Sequence, residues 1–127
     1  MGNDRRRRVL TVGAQQYRWQ TYHQHVDGCE EVLRLRQLGS VAGLTVAFRP
    51  DGERTISEGG PSVSGFVWIG DRMLNLHEPG VVRAFIDAAV DAGWLTETRA
   101  VGRGNGWDLF DDAYARRHPP ASPGLDE

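Results

Sequence analysis

Two histidines and the only cysteine of the chain lie close together in the sequence, at His23, His25 and Cys29. Residues 17–26 alternate as a β-strand does, and this alternation places both histidines on one face. Two imidazoles on one face can bind the same metal ion, and a thiolate from the following turn is a suitable third ligand. These three residues are therefore candidate metal ligands, with His77 as a candidate fourth ligand.

A second interpretation of the same residues needs no metal. The face that carries His23 and His25 begins with Tyr17 and Trp19, so the histidines can simply mark the solvent-exposed end of an aromatic face. Zinc sites usually combine two close pairs of ligands, and a second close pair is missing from this sequence. For this reason a metal-binding or small-ligand-binding role is the alternative hypothesis here, and not the leading one.

The leading hypothesis depends on arginines of the early strands. Alternation puts Arg18, Arg34 and Arg36 on the outward face, opposite the histidines. Guanidinium groups bind carboxylates and phosphates through paired hydrogen bonds, and exposed tryptophans often anchor protein interfaces. An alternative is an ordinary solvated face. The predicted interaction face consists of Arg18, Tyr22, Arg34, Arg36, Arg49 and Trp68.

The expected partner of this face is another protein. The formal net charge of −2 argues against nucleic acid, because nucleic-acid-binding domains usually carry a clear basic excess. Nucleic-acid binding through the arginines is therefore the third hypothesis. All fifteen basic residues are arginine and none is lysine, which is typical of a genome rich in G and C and indicates a bacterial source.

Motifs for catalysis are weak in this chain. The glycine-rich residues 102–106 (GRGNG) lack the Lys-Ser/Thr pair of a phosphate-binding loop, and they favour a hairpin turn. No serine stands in a nucleophile elbow, and the carboxylate pairs are better explained by turns and solvated helix faces. The sequence therefore favours a non-enzymatic protein with no catalytic residue and no cofactor.

Composition limits the remaining possibilities. A chain of 127 residues with 39% apolar and 25% charged residues can bury one core without disulfides. No apolar run approaches the roughly 20 residues needed to cross a bilayer, so no membrane partner is expected. One cysteine and the absence of a signal peptide predict a cytoplasmic protein.

The element that organises the predicted fold is a helix within residues 76–94. Pro79 suits its first turn and Gly93 its end, while Val82, Phe85 and Ile86 form part of one apolar stripe. Strands are predicted at residues 8–13, 17–26, 31–38, 44–49, 65–70, 73–76, 94–101 and 107–110. Residues 50–64 are expected to form a long exposed loop.

These elements predict an α+β fold, an antiparallel β-sheet of six to eight strands with one long α-helix packed on one face. Residues 1–7 are expected to be a flexible arginine-rich N-terminus, residues 8–117 a single domain, and residues 118–127 a disordered tail. The core is expected to contain Trp19, Phe48, Phe85, Trp107, and either Phe66 or Trp68.

Three segments carry a resemblance to a known group of proteins: VLTVGAQQYRWQ, LNLHEPGVVRAFIDAAVDAGW and WDLF. Their ensemble resembles a family of small bacterial proteins of unknown function, and the resemblance covers about residues 8–110. Its motifs are structural, namely a strand, a helix that begins at proline and a Gly-Trp ending. The resemblance therefore implies no activity, cofactor or site residue. The function expected from the sequence is that of a small cytoplasmic accessory protein that binds a macromolecule through the outward face and the 50–64 loop.

Overall fold

The computed structural model describes residues 8–25, 27–40, 43–57, 64–96 and 102–118. Within these residues the chain forms eight strands and two helices. Their bounds are β1 (Arg8–Val12), β2 (Gln15–His25), β3 (Cys29–Gln37), β4 (Gly43–Phe48), β5 (Arg54–Ile56), β6 (Phe66–Ile69), β7 (Arg72–Asn75), α1 (Pro79–Asp91), β8 (Arg103–Asn105) and α2 (Trp107–Arg117).

The larger sheet has five strands in the order β1-β2-β3-β4-β8. Its first four strands pair antiparallel, whereas β8 runs parallel to β4. The longest pairing joins β2 to β3 through a turn in which Asp27 and Gly28 both have positive φ, of 56° and 107°. Glycine enters this region freely and aspartate does so more readily than most residues, so the Asp27-Gly28 pair suits the turn.

The prediction of one antiparallel sheet of six to eight strands is wrong. Strands β5, β6 and β7 form a second, three-stranded antiparallel sheet of their own. The chain reverses at residues 51–54, where the amide of Asp51 donates to the carbonyl of Arg54 at 2.7 Å and the amide of Arg54 donates to the carbonyl of Asp51 at 3.0 Å. This turn ends β4 and starts a new set of hairpins, which satisfy their hydrogen bonds among themselves.

The prediction of one long helix is also wrong. Helix α1 has 13 residues, with Pro79 in its first turn and Gly93, at φ 80°, just beyond its end. Trp107–Phe110, predicted as a strand, begins the second helix, α2, of 11 residues. Its first turn is stabilised because the amide of Trp107 donates to Asn105 Oδ1 at 3.0 Å. A short apolar run such as WDLF fits either a strand or a helix, and here the following residues extend the helical spacing.

The core lies between the inner face of the larger sheet, the smaller sheet and the two helices. At its centre Phe48 of β4 contacts Phe85 of α1 and Trp107 of α2 edge-on, with ring centroids 5.5 Å and 5.0 Å apart. Such edge-to-face pairs add about 0.5–1.5 kcal/mol to the stability that burial alone provides. The expected core residues Trp19, Phe48, Phe85 and Trp107 are all buried, whereas Phe66 and Trp68 are only half-buried.

Several predicted segments fall partly or wholly outside the described residues. Residues 1–7 lie outside them, and so does the predicted tail apart from His118. Of the predicted 50–64 loop, residues 58–63 also lie outside, while Arg54–Ile56 forms β5 and corrects the prediction of a continuous loop. Neither helix of the described chain has the length and apolar character that a bilayer span requires.

Replacing Gly106 by alanine tests the packing of α2. A Cβ at this buried position would collide with the ring of Phe48. Because Phe48 is itself enclosed, we expect Gly106→Ala to lower the free energy of unfolding by about 1–3 kcal/mol, as measured by urea denaturation. Gly43→Ala is the matched control, because its Cβ would meet only the carbonyl oxygen of Leu35, at 3.5 Å. Equal effects of the two substitutions would contradict this packing.

Candidate metal centre

The residues with metal-binding chemistry lie at one end of the β2–β3 hairpin. His23 is paired across the hairpin with Glu31, and His25 with Cys29. Because strand side chains alternate, all four point to the inner face of the sheet, the face that carries Trp19 and Leu33 into the core. Exposure rises along β2 from buried Thr21 to exposed His25, so that the hairpin end forms the rim of this face.

Three candidate ligand atoms come close together at this rim. One ring nitrogen of His23, one of His25 and the sulfur of Cys29 all lie within 4.8 Å of one another. His25 Nδ1 is 3.1 Å from Cys29 Sγ, and the two imidazole rings meet edge-on with centroids 4.9 Å apart. A tetrahedral ion with bonds of about 2.0–2.3 Å holds its ligand atoms roughly 3–4 Å apart. Small side-chain rotations would therefore bring the three donors to coordination distance.

Behind His23 lies a carboxylate that is fully buried. Glu31 is 0% exposed, and its two oxygens receive hydrogen bonds from four groups. His23 Nδ1 lies at 2.6 Å and Ser57 Oγ at 2.8 Å from Oε2, while the amide of Gly65 lies at 2.9 Å and Ser64 Oγ at 3.4 Å from Oε1. A carboxylate only accepts hydrogen bonds when ionised, so this arrangement assigns the Nδ1 proton to His23.

In the neutral imidazole the second nitrogen of His23, Nε2, carries a lone pair, and no described residue hydrogen-bonds to it. The side chain is only 6% exposed, and Nε2 is buried without a hydrogen bond from any described residue. A buried polar atom without a partner destabilises a fold by about 1–3 kcal/mol. Histidines that bind metal through one nitrogen typically donate the other N–H to a carboxylate, as His23 does to Glu31. His23 therefore has the hydrogen-bonding pattern of a metal ligand.

The structure brings together His23, His25 and Cys29 as the sequence suggested, but it does not add His77 to them. His77 Nε2 lies 3.0 Å from the carbonyl oxygen of Ser64. The side chain of Ser64 in turn contacts Glu31. Glu31 itself was missed by the sequence analysis, although a signal for it existed. It alternates in step with Leu33 and Leu35, two apolar residues of β3 that are buried in the core, so its carboxylate had to enter the same face.

The predicted interaction face is assembled only in part. Arg18, Arg34 and Arg36 line one surface depression of about 410 Å³, together with Trp19 and Gln20. Tyr22 lies further along the same face of β2. The two remaining members lie outside this depression. Arg49 follows β4 and pairs with Glu30 further along the outward face, and Trp68 belongs to the smaller sheet, where it stacks on Phe66 with centroids 6.1 Å apart.

The outward face also contains a second buried carboxylate. Glu30 is 1% exposed and accepts hydrogen bonds from Gln24 at 2.5 Å and Arg103 at 2.6 Å, with Arg49 3.3 Å away. Burial alone would raise the pKa of Glu30, but the bonds from Gln24 and Arg103 and the charges of Arg103 and Arg49 outweigh it. The pKa of Glu30 therefore lies below its ordinary value.

Comparison with known proteins gives no further information about this site. The chain matches no protein-family model, no curated protein and no solved structure. These comparisons therefore identify no family to which the chain belongs, and the resemblance described from the sequence stays a resemblance.

Removing the Glu31 carboxylate tests whether it supports the rim and the smaller sheet. We expect Glu31→Ala to lower the free energy of unfolding by about 3–5 kcal/mol, because breaking a buried hydrogen-bonded pair leaves its partners unsatisfied. Urea denaturation followed by tryptophan fluorescence measures the loss. Glu53→Ala, at an exposed carboxylate, is the control and should change stability by less than about 0.5 kcal/mol. A loss as small as this at Glu31 would contradict its supporting role.

The lowered pKa of Glu30 predicts a pH dependence of stability. A carboxyl group whose pKa falls on folding stabilises the fold above its unfolded pKa, about 4.3 for glutamate, and loses this contribution as the pH drops through the folded value. The stability difference between the natural protein and Glu30→Gln should therefore be greatest near pH 7 and shrink below about pH 4. Urea denaturation from pH 7 to pH 3 measures it, with Glu53→Gln as the control. A stability difference that stays constant with pH would contradict a lowered pKa of Glu30.

Proposed function

We propose that this protein binds a divalent transition-metal ion, with Zn²⁺ the first choice, through His23, His25 and Cys29. The observation that carries the proposal is the Nε2 atom of His23, which is buried, has no partner among the described residues, and belongs to a ring fixed by Glu31. A buried ring nitrogen to which no described residue hydrogen-bonds needs an explanation. A metal ion is a ligand that fits the adjoining imidazole and thiol.

The donor set decides which metals are suitable. Two imidazole nitrogens and one thiolate suit Zn²⁺, copper or nickel, whereas Mg²⁺ and Ca²⁺ prefer sites built from oxygen. Zn²⁺ takes four ligands in a tetrahedron, and the group found in the described chain offers three. The fourth position is then available to water or to a ligand from outside the group, which is the arrangement of zinc sites that exchange their fourth ligand.

The three donors differ in how firmly they are held. His23 is enclosed and its ring is oriented by the 2.6 Å contact with Glu31. His25 is exposed and Cys29 is partly exposed, so an ion can reach these two donors from solvent and draw them toward His23. One rigid ligand and two adjustable ligands can accommodate an ion without rearranging the sheet. Binding to the folded state alone would also stabilise the protein, and above the dissociation constant the gain would rise with the logarithm of the metal concentration.

The expectation of a macromolecular partner remains a second proposal. Its specific support is the convergence of Arg18, Arg34 and Arg36 in one depression. The full face expected from the sequence has less support, because Arg49 and Trp68 lie apart from these three and residues 58–63 lie outside the described chain. Metal binding is therefore the better-supported function.

Metal titration of untagged, reduced protein tests the proposal. We expect about one equivalent of Zn²⁺ per chain by isothermal titration calorimetry, because the three donors form one site. Co²⁺ should give a thiolate-to-metal charge-transfer band in the near ultraviolet, which reports Cys29 directly. The double variant His25→Ala/Cys29→Ser changes only residues at the rim, and it should lose both the stoichiometric binding and the band.

The matched control is His118→Ala, which removes an exposed histidine at the C-terminal end of α2 that does not belong to the ligand group. This variant should bind Zn²⁺ as the natural protein does. The proposal fails if the natural protein binds no metal under reducing conditions. It also fails if the double variant binds as tightly as His118→Ala, since the ion would then be held elsewhere.

A further inference from the structure

We propose that the depression lined by Arg18, Arg34 and Arg36 binds the phosphate group of a small phosphorylated molecule. This site lies on the outward face of the β2–β3 hairpin, whereas the proposed metal ligands lie on the inward face. The inference therefore does not depend on metal binding. Its support comes from the spacing, charge and exposure of three arginines.

The register of the hairpin brings the three guanidinium groups together. Arg18 is paired directly with Arg36 across β2 and β3, and Arg34 is paired with Gln20, the next outward residue of β2. Directly opposed residues have Cα atoms about 4.5–5.5 Å apart, and alternate residues of one strand about 7 Å apart. At these spacings the long side chains of the three arginines can reach one common anion.

The charges of these arginines are not compensated within the described chain. All three are exposed, and none of them makes an ion pair with a described carboxylate. Like charges directly opposite each other on a sheet, such as Arg18 and Arg36, are destabilising. The carboxylate of Glu30, on the same face of the hairpin, is buried and already pairs with Arg103 and Arg49. A bound anion would remove the repulsion.

Phosphate fits this arrangement better than a single carboxylate does. A planar guanidinium donates two parallel hydrogen bonds, and a phosphate group has enough oxygens to receive several such pairs at once. Gln20 adds an amide that can donate or accept at the same depression. The volume of about 410 Å³ falls within the range of small-molecule sites, about 300–1,000 Å³.

The positive patch is too confined to favour a nucleic-acid strand. Beyond the three arginines, Arg49 and Arg103 both bind the single carboxylate of Glu30, which offsets one of their two charges, and Val32 and Ala47 on the same face are buried. A strand of nucleic acid needs positive charge along several successive phosphates, and the chain as a whole carries a formal charge of −2. The patch matches one phosphate or diphosphate group.

Calorimetric titration with inorganic pyrophosphate tests the proposal. The background is the His25→Ala/Cys29→Ser variant with a chelator present, so that no metal can bridge protein and pyrophosphate and the outcome is independent of the metal proposal. We expect binding that Arg34→Gln and Arg36→Gln each weaken about tenfold or more, since a charge-assisted hydrogen bond contributes about 1.5–3 kcal/mol. Arg83→Gln removes the same charge from an exposed position on α1 and should weaken binding less than about twofold.

Three results would overturn the proposal. The first is no binding of pyrophosphate at concentrations up to about 1 mM, which corresponds to less than about 4 kcal/mol of binding free energy. The second is binding that the Arg34 and Arg36 substitutions leave unchanged. The third is tighter binding of a single-stranded oligothymidylate than of pyrophosphate, with a salt dependence that indicates several phosphate contacts. Such a result would assign the arginines to a nucleic-acid strand instead.

Discussion

The buried carboxylate of Glu31 is the interaction on which the two sheets and the hairpin rim jointly depend. It projects from β3 of the larger sheet, and its donors Ser57 and Gly65 come from the segments that flank β5 and β6 of the smaller sheet. Removing a carboxylate from water destabilises a fold by several kcal/mol unless hydrogen bonds replace its hydration. The smaller sheet must therefore sit where its donors reach Glu31, which fixes one sheet against the other more specifically than apolar packing can.

The same carboxylate connects the fold to the proposed metal centre. Its contact with His23 places a proton on Nδ1, so that in the neutral imidazole Nε2 is the nitrogen that can bind a metal ion. A histidine oriented in this way is prepared for an ion before the ion arrives, so little ordering remains to be done on binding. Fold stability and ligand geometry at this end of the hairpin thus have one physical origin, and a defect at Glu31 would affect both.

Strand parity was the part of this structure that the sequence predicted well. Alternation along β2 and β3 placed His23 and His25 on one face and Arg18, Arg34 and Arg36 on the other, because the period of a strand is two whatever its surroundings. Strand partners are not encoded locally, so the closure of β5, β6 and β7 into their own sheet was missed. Trp107–Phe110 was misassigned because a short apolar run satisfies a strand and a helix equally well. The hydrogen bonds of Glu31 with Ser57 and Gly65 depend on the position of this smaller sheet, so they were not predicted either.

Glu30 and Glu31 are neighbours in sequence, yet their side chains lie on opposite faces of the sheet, each on the face of a different proposed site. Glu31 points inward and holds His23, while Glu30 points outward, binds both Arg49 and Arg103 and offsets one of their two positive charges. Without Glu30 the positive charge of the outward face would extend to five arginines, and a longer polyanion would fit as well as a single phosphate. A slip of β3 by one residue against β2 would turn Arg34 and Arg36 toward the core and Glu31 away from His23. The Asp27-Gly28 turn that sets this register therefore determines the chemistry of both faces.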